Sequence, residues 1–199
     1  MLWFRLPPGY FPVDLEELDD WEERLTTATA VLGLGQEPGT DAGALRRLLG
    51  SFPEHGVTYA AFGLHPVDDG ALCVSLLTFA ELDTRAPGPA AAAARCALAS
   101  ATAGTGLVRE RALVRLTCGT PAALVTALLP DGILQARLTV ARPAGGGVVL
   151  VDLTTPAAGR AAEYTDILLA VGQTVAFTDP DATEPAGPVA RPSRLHELR

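Results

Sequence analysis

A strongly apolar strand that runs straight into an amphipathic helix, at residues 147–177, most constrains how this chain can fold. The strand covers Val148 to Val151 and ends at Thr154-Thr155-Pro156. Behind it, apolar residues recur at the spacing of one helix face: Ala161, Tyr164, Ile167, Leu168, Val171 and Val175. This order predicts a helix that folds back onto a sheet. We expect Ile167 and Leu168 to be buried against that sheet.

The apolar pattern of the sequence before this closing unit predicts several β-strands that are joined by short turns. Strand patterns occur at 57–64, 71–79, 108–118, 122–129 and 133–142. Helical patterns occur at 14–32, 41–52 and 89–103. Consecutive strands with tight turns between them pair antiparallel. The sequence therefore predicts an α+β fold, in which helices pack on an antiparallel sheet of about six strands.

We expect a single domain at 14–178, with an extended arm before it and a mobile tail after it. The arm, at 1–13, contains the helix-breaking sequence Pro7-Pro8-Gly9. The tail, at 179–199, is rich in Pro, Asp, Glu and Ala, a composition that does not build a core. Trp3 and Phe4 give the arm large apolar side chains, which either pack on the domain or bind a partner.

The closing unit carries a family resemblance. VVLVDLTTP followed by Tyr164, Ile167, Leu168, Val171 and Phe177 resembles the end of PsbP-like domains. That family includes the photosystem II extrinsic protein, a Ran-binding nuclear import factor and bacterial lipoproteins. The resemblance implies an α/β/α sandwich that binds partners and usually does no catalysis, and no functional residue can be carried over from it. Unlike the lipoprotein members, this sequence shows no lipobox cysteine.

The charge balance argues against nucleic-acid binding. The formal net charge is −8, whereas a nucleic-acid surface needs an excess of positive charge. The charge is also uneven, because acidic residues crowd 14–23, where they favour the start of a helix. The same acidic cluster could also dock a basic partner.

Cysteine usage and hydropathy favour a cytoplasmic protein. The three cysteines are an odd number without paired spacing, so we expect reduced thiols rather than a disulfide framework. No apolar run reaches the roughly 18–20 residues that a membrane span needs, and the N-terminal residues do not read as a secretory signal. All fifteen basic residues are arginine, a bias typical of GC-rich bacterial genomes.

The sequence offers only weak candidates for chemistry. His65 with Asp68 and Asp69 has the donors of a metal site, but the same residues suit a simple turn. Cys118 follows a strand and is the most accessible thiol that the pattern predicts, so it is the best candidate nucleophile. Phosphate-binding and serine-hydrolase motifs are absent from the sequence. We therefore expect no catalytic residue, no metal and no cofactor.

Arginines supply the strongest candidate for a binding surface. Arg109, Arg111 and Arg115 share one face of the strand at 108–118, opposite an apolar face of even-numbered residues. Arg137 could join them from a neighbouring strand. With Trp3 and Phe4 in the arm, these residues form our predicted partner-binding set. The same arginines could also form an ordinary solvated sheet face. As a binding surface they would hold an anion or an acidic protein surface, and the acidic residues near position 20 of the same molecule or of a second copy are one possible partner.

These observations support three functional hypotheses. The first is a non-enzymatic protein-binding, accessory or chaperone-like module of a bacterial cytoplasmic assembly or secretion system. The second is a small-molecule or lipid carrier, in which small residues such as Ala60, Ala61 and Gly63 leave a cavity between sheet and helices. The third is a hydrolase that uses Cys118 or His65.

Overall fold

The structure is a computed structural model of the whole chain. It describes the following residues: 2–17, 49–66, 72–103, 106–130, 132–143 and 145–178. The predicted tail at 179–199 and most of the two predicted helices before residue 49 lie outside the described residues. Of the second of these helices, residues 49–51 are described and are helical.

A seven-stranded sheet forms the centre of the molecule, and every neighbouring pair of strands is antiparallel. The strands are β1 (Tyr10–Val13), β2 (Val57–Pro66), β3 (Leu72–Asp83), β4 (Leu107–Arg115), β5 (Pro121–Leu128), β6 (Leu134–Ala141) and β7 (Gly147–Thr155). Their order across the sheet is β1-β2-β3-β7-β6-β5-β4. The predicted α+β class with an antiparallel sheet is confirmed. The closing strand β7 lies at the centre, which explains why it is so apolar.

The sheet has one strand more than the six we predicted. The additional strand is β1, which lies inside the segment that we predicted to be an extended arm. Leu64 donates its N–H to the Gly9 carbonyl at 3.0 Å, so the alternation of the ladder turns the backbone of Pro12 away from β2. A proline is tolerated at such an outward position of an edge strand, because no ladder bond is lost.

Two α-helices pack on opposite faces of the sheet. Helix α1 (Pro89–Ala103) is rich in alanine, and Ala93 and Ala97 pack closely on Ala123, Val125 and Ala141. Helix α2 (Ala161–Gln173) covers the other face and contributes Tyr164, Leu168 and Val171 to the largest core cluster. We call these the α1 face and the α2 face. Two short 3-10 helices, Pro53–His55 and Ala158–Arg160, complete the described elements.

The closing helix is buried largely as predicted. Leu168 is fully buried, whereas Ile167 packs against the core but is only partly buried. A Cβ atom at Gly172 would collide with Leu138, so the glycine lets α2 lie close to β6. Among the helices that the structure describes, none is long and apolar enough to cross a membrane.

A β-bulge changes the predicted pattern of β4. The register against β5 shifts between Val108 and Glu110. As a result, Val108 packs into the α1-face cluster, while Ala112 and Val114 pack into the α2-face core. Our prediction that Val108 shares a face with Ala112 and Val114 is therefore wrong. The strand also ends at Arg115, because the chain turns at residues 116–119 and not after Cys118.

Candidate protein-binding edge

Strand β4 forms one edge of the sheet and exposes both arginine and large apolar side chains. Arg109, Arg111 and Arg115 are all exposed. Leu113 lies between Arg111 and Arg115 in the strand and is 76% exposed. Leu107 is 67% exposed. We call Arg109, Arg111, Leu113 and Arg115 the arginine edge. An exposed leucine between arginines matches the arginine-rich, partly apolar chemistry of protein interfaces.

The register of β4 against β5 places Arg111, Leu113 and Arg115 on the α1 face. Arg111 lies opposite Val125, and Leu113 lies opposite Ala123. Helix α1 covers Ala123 and Val125 but leaves the side chains of β4 exposed beside it. The arginine edge is therefore open on the α1 face as well as at its outer side, among the residues that the structure describes.

Arg115 is the best-oriented member of this edge. Its Nη1 donates to the Gly119 carbonyl at 2.9 Å, in the turn that joins β4 to β5. This turn is itself held to α2, because Gln173 Oε1 accepts hydrogen bonds from the N–H and the hydroxyl of Thr117. This hydrogen bond orients the guanidinium of Arg115 at the end of the strand, and its other N–H groups have no partner among the described residues.

Arg137 lies on the same face but does not belong to the arginine edge. It lies opposite Asp152 in the sheet and forms a two-point ion pair, with Nε–Oδ1 and Nη2–Oδ2 both at 2.5 Å. Its Nη1 donates to Ser100 Oγ on α1 at 2.9 Å. The hydrogen bonds to Asp152 raise the pKa of Arg137. Arg137 therefore joins β6, β7 and α1, and its guanidinium is committed inside the fold.

Trp3 and Phe4 also lie away from the arginine edge, on the α2 face. Trp3 forms an antiparallel bridge with Ala176, with both N–O distances at 2.9 Å. Phe4 stacks on Phe79 at 3.9 Å between ring centroids and meets Tyr59 edge-on at 4.8 Å. These contacts hold the N-terminal segment against the core. The structure thus places Arg111 and Arg115 on the α1 face, and Arg109 falls at the bulge without a register partner, so our prediction that all three arginines share one face is wrong. The other three predicted site residues lie elsewhere.

A polar cluster that the sequence did not reveal surrounds His65 at the other end of the sheet. The Tyr10 hydroxyl lies 2.9 Å from Ser75 Oγ, which lies 3.5 Å from His65 Nε2. Burial and the nearby Arg160 lower the pKa of His65. Gly63 is the residue of the sequence that could have indicated close packing here, since a Cβ atom at this position would lie 2.5 Å from Ser75 Oγ. Only register brings these residues together, because they come from three different strands.

The geometry of this cluster suits a structural role, in which it links strands of the sheet, rather than catalysis. Ser75 has the partners of a nucleophile beside a base, but it is only 1% exposed and its hydroxyl is hydrogen-bonded to the Tyr10 hydroxyl. The Tyr10–Ser75 hydrogen bond instead joins β1 to β3 across β2. Within the described part of the chain, no three His, Cys, Asp or Glu side chains are arranged to hold a metal ion. Asp68 and Asp69 lie outside the described residues.

Cys118 is exposed, as predicted, in the turn after β4. Its thiol lies 3.1 Å from Thr120 Oγ1, and the hydrogen bond to this hydroxyl lowers the pKa of the thiol. A threonine hydroxyl does not act as a general base for a thiol. His65 lies on β2, near the opposite edge of the sheet, so the two residues do not form a Cys–His pair.

The small residues that suggested a carrier cavity provide close packing instead. Ala60 and Ala61 are fully buried, and the space beside Gly63 is filled by Tyr10, His65 and Ser75. A cleft of about 20 Å³ lies between α1 and the sheet, beside Val125 and Arg137. This volume is far below the roughly 300 Å³ at which ligand pockets begin. The cleft has room for about one water molecule.

The fold and this edge define an α+β protein that presents the arginine-rich edge strand of an antiparallel sheet. No protein-family model matches the sequence. No curated protein matches it either. The exposed surface of β4 therefore offers the main chemical indication of function.

Proposed function

We propose that this protein is a non-catalytic binding module that holds an acidic protein partner at the arginine edge. The observation that carries the proposal is the exposure of Leu113, at 76%, between two exposed arginines on one strand. Leu113 belongs to no core cluster of the described residues, so its side chain and the guanidinium groups beside it can offer a partner apolar and charged contacts together. Arginine is enriched among the hot-spot residues of protein interfaces.

The charge of the chain supports an acidic rather than a basic partner. The formal net charge is −8, yet β4 concentrates three arginines against the single carboxylate of Glu110. Such a local positive patch attracts an acidic surface and increases its rate of association. Association should therefore weaken as salt is added, because exposed charges are screened over about 8–10 Å at ordinary ionic strength.

A role as an accessory or chaperone-like component of a bacterial cytoplasmic assembly fits this chemistry. Such proteins act by holding a partner, and the buried Ser75 and the small cleft favour holding over turnover. The resemblance of the closing unit to PsbP-like domains supports the same role, because those domains bind partners. Secretion systems are one kind of assembly that uses modules of this type.

The test is affinity capture from the source organism with a matched pair of charge reversals. The double variant Arg111→Glu and Arg115→Glu should lose the captured partner. The control variant Arg85→Glu and Arg95→Glu makes the same change of charge at two exposed arginines outside β4, and it should retain the partner. Equal capture by both variants at low salt would remove the arginine edge from the function.

A further inference from the structure

The backbone of β4 presents hydrogen-bonding groups at its outer side. Leu116 donates its N–H to the Thr120 carbonyl at 3.0 Å, which fixes which residues of β4 bond to β5. In an antiparallel ladder, every second residue bonds to the partner strand and the residue between turns its N–H and C=O away. Val114 and Ala112 thus bond to β5, and Arg115, Leu113 and Arg111 face outwards.

The next pair of strands gives the same result independently. Leu129 donates its N–H to the Ile133 carbonyl at 2.8 Å, so the odd-numbered residues of β5 bond to β6. The even-numbered residues of β5, including Leu124, must then bond to β4. Leu124 lies opposite Ala112. Both routes leave the backbone groups of Arg111, Leu113 and Arg115 pointing away from the sheet, without a partner among the described residues.

The same three residues therefore offer backbone and side-chain contacts together. We infer that the partner binds as an additional antiparallel strand along β4, with acidic, apolar and acidic side chains opposite Arg111, Leu113 and Arg115. Strand addition supplies affinity through main-chain hydrogen bonds and specificity through alternate side chains. This inference rests on the proposed function and names its partner as an extended acidic segment of another protein.

Charge favours this occupant over a second copy of the chain. β4 contains three arginines and one glutamate, a net charge of +2. Two copies joined through β4 would place these positive strands side by side, and like charges across a ladder are destabilising. A segment with carboxylates opposite Arg111 and Arg115 would instead pair each outward-facing arginine with an opposite charge.

Synthetic peptides test the inference directly. The probe is the capped peptide Thr-Thr-Glu-Thr-Val-Thr-Glu-Thr-Thr, and binding is followed by fluorescence anisotropy at low salt. Antiparallel addition points the valine N–H at β4 and the N–H of its neighbouring threonine at solvent. N-methylation at valine should lower the affinity about tenfold or more. N-methylation at the adjacent threonine, the matched control, should change the affinity by less than about threefold.

A variant of the protein tests the same main-chain hydrogen bonds by a change in β4 instead of a change in the peptide. Leu113→Pro removes one outward N–H together with the leucine side chain, and it leaves the bonds of Ala112 and Val114 to β5 unchanged. Leu113→Ala, which removes only the side chain, is its control and should lower the affinity less. Leu113→Pro should lower the affinity for the probe about tenfold, and circular dichroism and thermal unfolding check that it folds. If it fails to fold, the two methylated peptides still decide the question.

The outcomes separate this inference from the proposed function. If both methylated peptides bind as well as the probe, and the Arg111→Glu and Arg115→Glu variant still loses its captured partner, binding is electrostatic and strand addition is wrong. If methylation at threonine weakens binding more than methylation at valine, antiparallel addition is wrong. If no peptide binds at millimolar concentration, the arginines protect the edge against aggregation, and the inference fails.

Discussion

The two edge strands of the sheet, β1 and β4, differ in length, in charge and in the backbone groups that they turn outwards. Strand β1 has four residues, turns Pro12 outwards and buries Tyr10 and Val13. Strand β4 has nine residues and turns the backbone groups of three exposed residues outwards. An edge strand is a template for pairing unless it is short, blocked by proline or covered. The comparison shows that β1 is a short edge with a proline on its outer side, whereas β4 is a longer and open edge, at which we propose that a partner binds.

The largest effect should come from α2, the helix that packs on the central strands β6 and β7. Leu168→Ala should lower the free energy of unfolding by about 2–5 kcal/mol, because Leu168 is fully buried and its removal leaves a cavity. Chemical denaturation measures this cost. Ile167→Ala is the control, and its cost should be smaller because Ile167 is only partly buried. A cost below about 1 kcal/mol at Leu168 would contradict the central position of α2.

The second prediction separates the arginine inside the fold from the arginines at the edge. Arg137→Ala should lower stability by about 2–3 kcal/mol, because it leaves Asp152, whose side chain is 18% exposed, without its partner. Arg111→Ala should change stability by less than about 0.5 kcal/mol, since Arg111 is exposed. Thermal and denaturant unfolding of both variants provide the measurement. Equal costs would mean that Arg111 is also structural, and the arginine edge would lose its claim to binding.

The third prediction concerns how β1 is closed. Tyr10→Phe removes the hydroxyl that lies 2.9 Å from Ser75 Oγ. The loss of this buried hydrogen bond should lower the free energy of unfolding by about 1 kcal/mol. Amide exchange should also become faster in β1, while exchange in β4 stays unchanged. An unchanged exchange rate in β1 would show that the Tyr10–Ser75 contact does not fasten this edge.

The fourth prediction is a small dependence of stability on pH at the same edge. Burial and Arg160 lower the pKa of His65 from 6.5 in the folded state, so the unfolded chain binds the proton more readily. The contribution of His65 to stability is therefore complete above about pH 6.5 and decreases as the pH falls below that value. His65→Gln should flatten this part of the stability–pH curve relative to the wild type. A stability advantage of the wild type over His65→Gln that grows as the pH falls would contradict the lowered pKa of His65.

The sequence predicted the elements whose signal is local. The alanine-rich pattern at 89–103 matches α1, and the apolar spacing after Pro156 matches α2, because each depends only on periodicity along the chain. Strand β1 was missed because it has four residues, one of them proline. The bulge at Val108 and Glu110 was missed because one extra residue in a ladder leaves no pattern in a single strand.

The candidate site was predicted in part for the same reason. Strand alternation placed Arg111 and Arg115 on one face without further information, and the structure shows both of them exposed there. Arg137 satisfies the same alternation, but the burial of its side chain depends on the position of α1 and on the pairing of β7 with β6. Non-local pairing also brings Tyr10, His65 and Ser75 together. These contacts follow from sheet order, which a single sequence does not specify.

Residue-resolved amide hydrogen exchange, with and without the acidic peptide, tests the central claim most directly. In the free protein, the amides of Arg111, Leu113 and Arg115 should exchange quickly, while those of Ala112 and Val114 are protected by β5. The bound peptide should protect the first three amides and leave β1 unchanged. Protection that appears at β1, or at no residue of β4, would contradict the assignment of β4 as the binding edge.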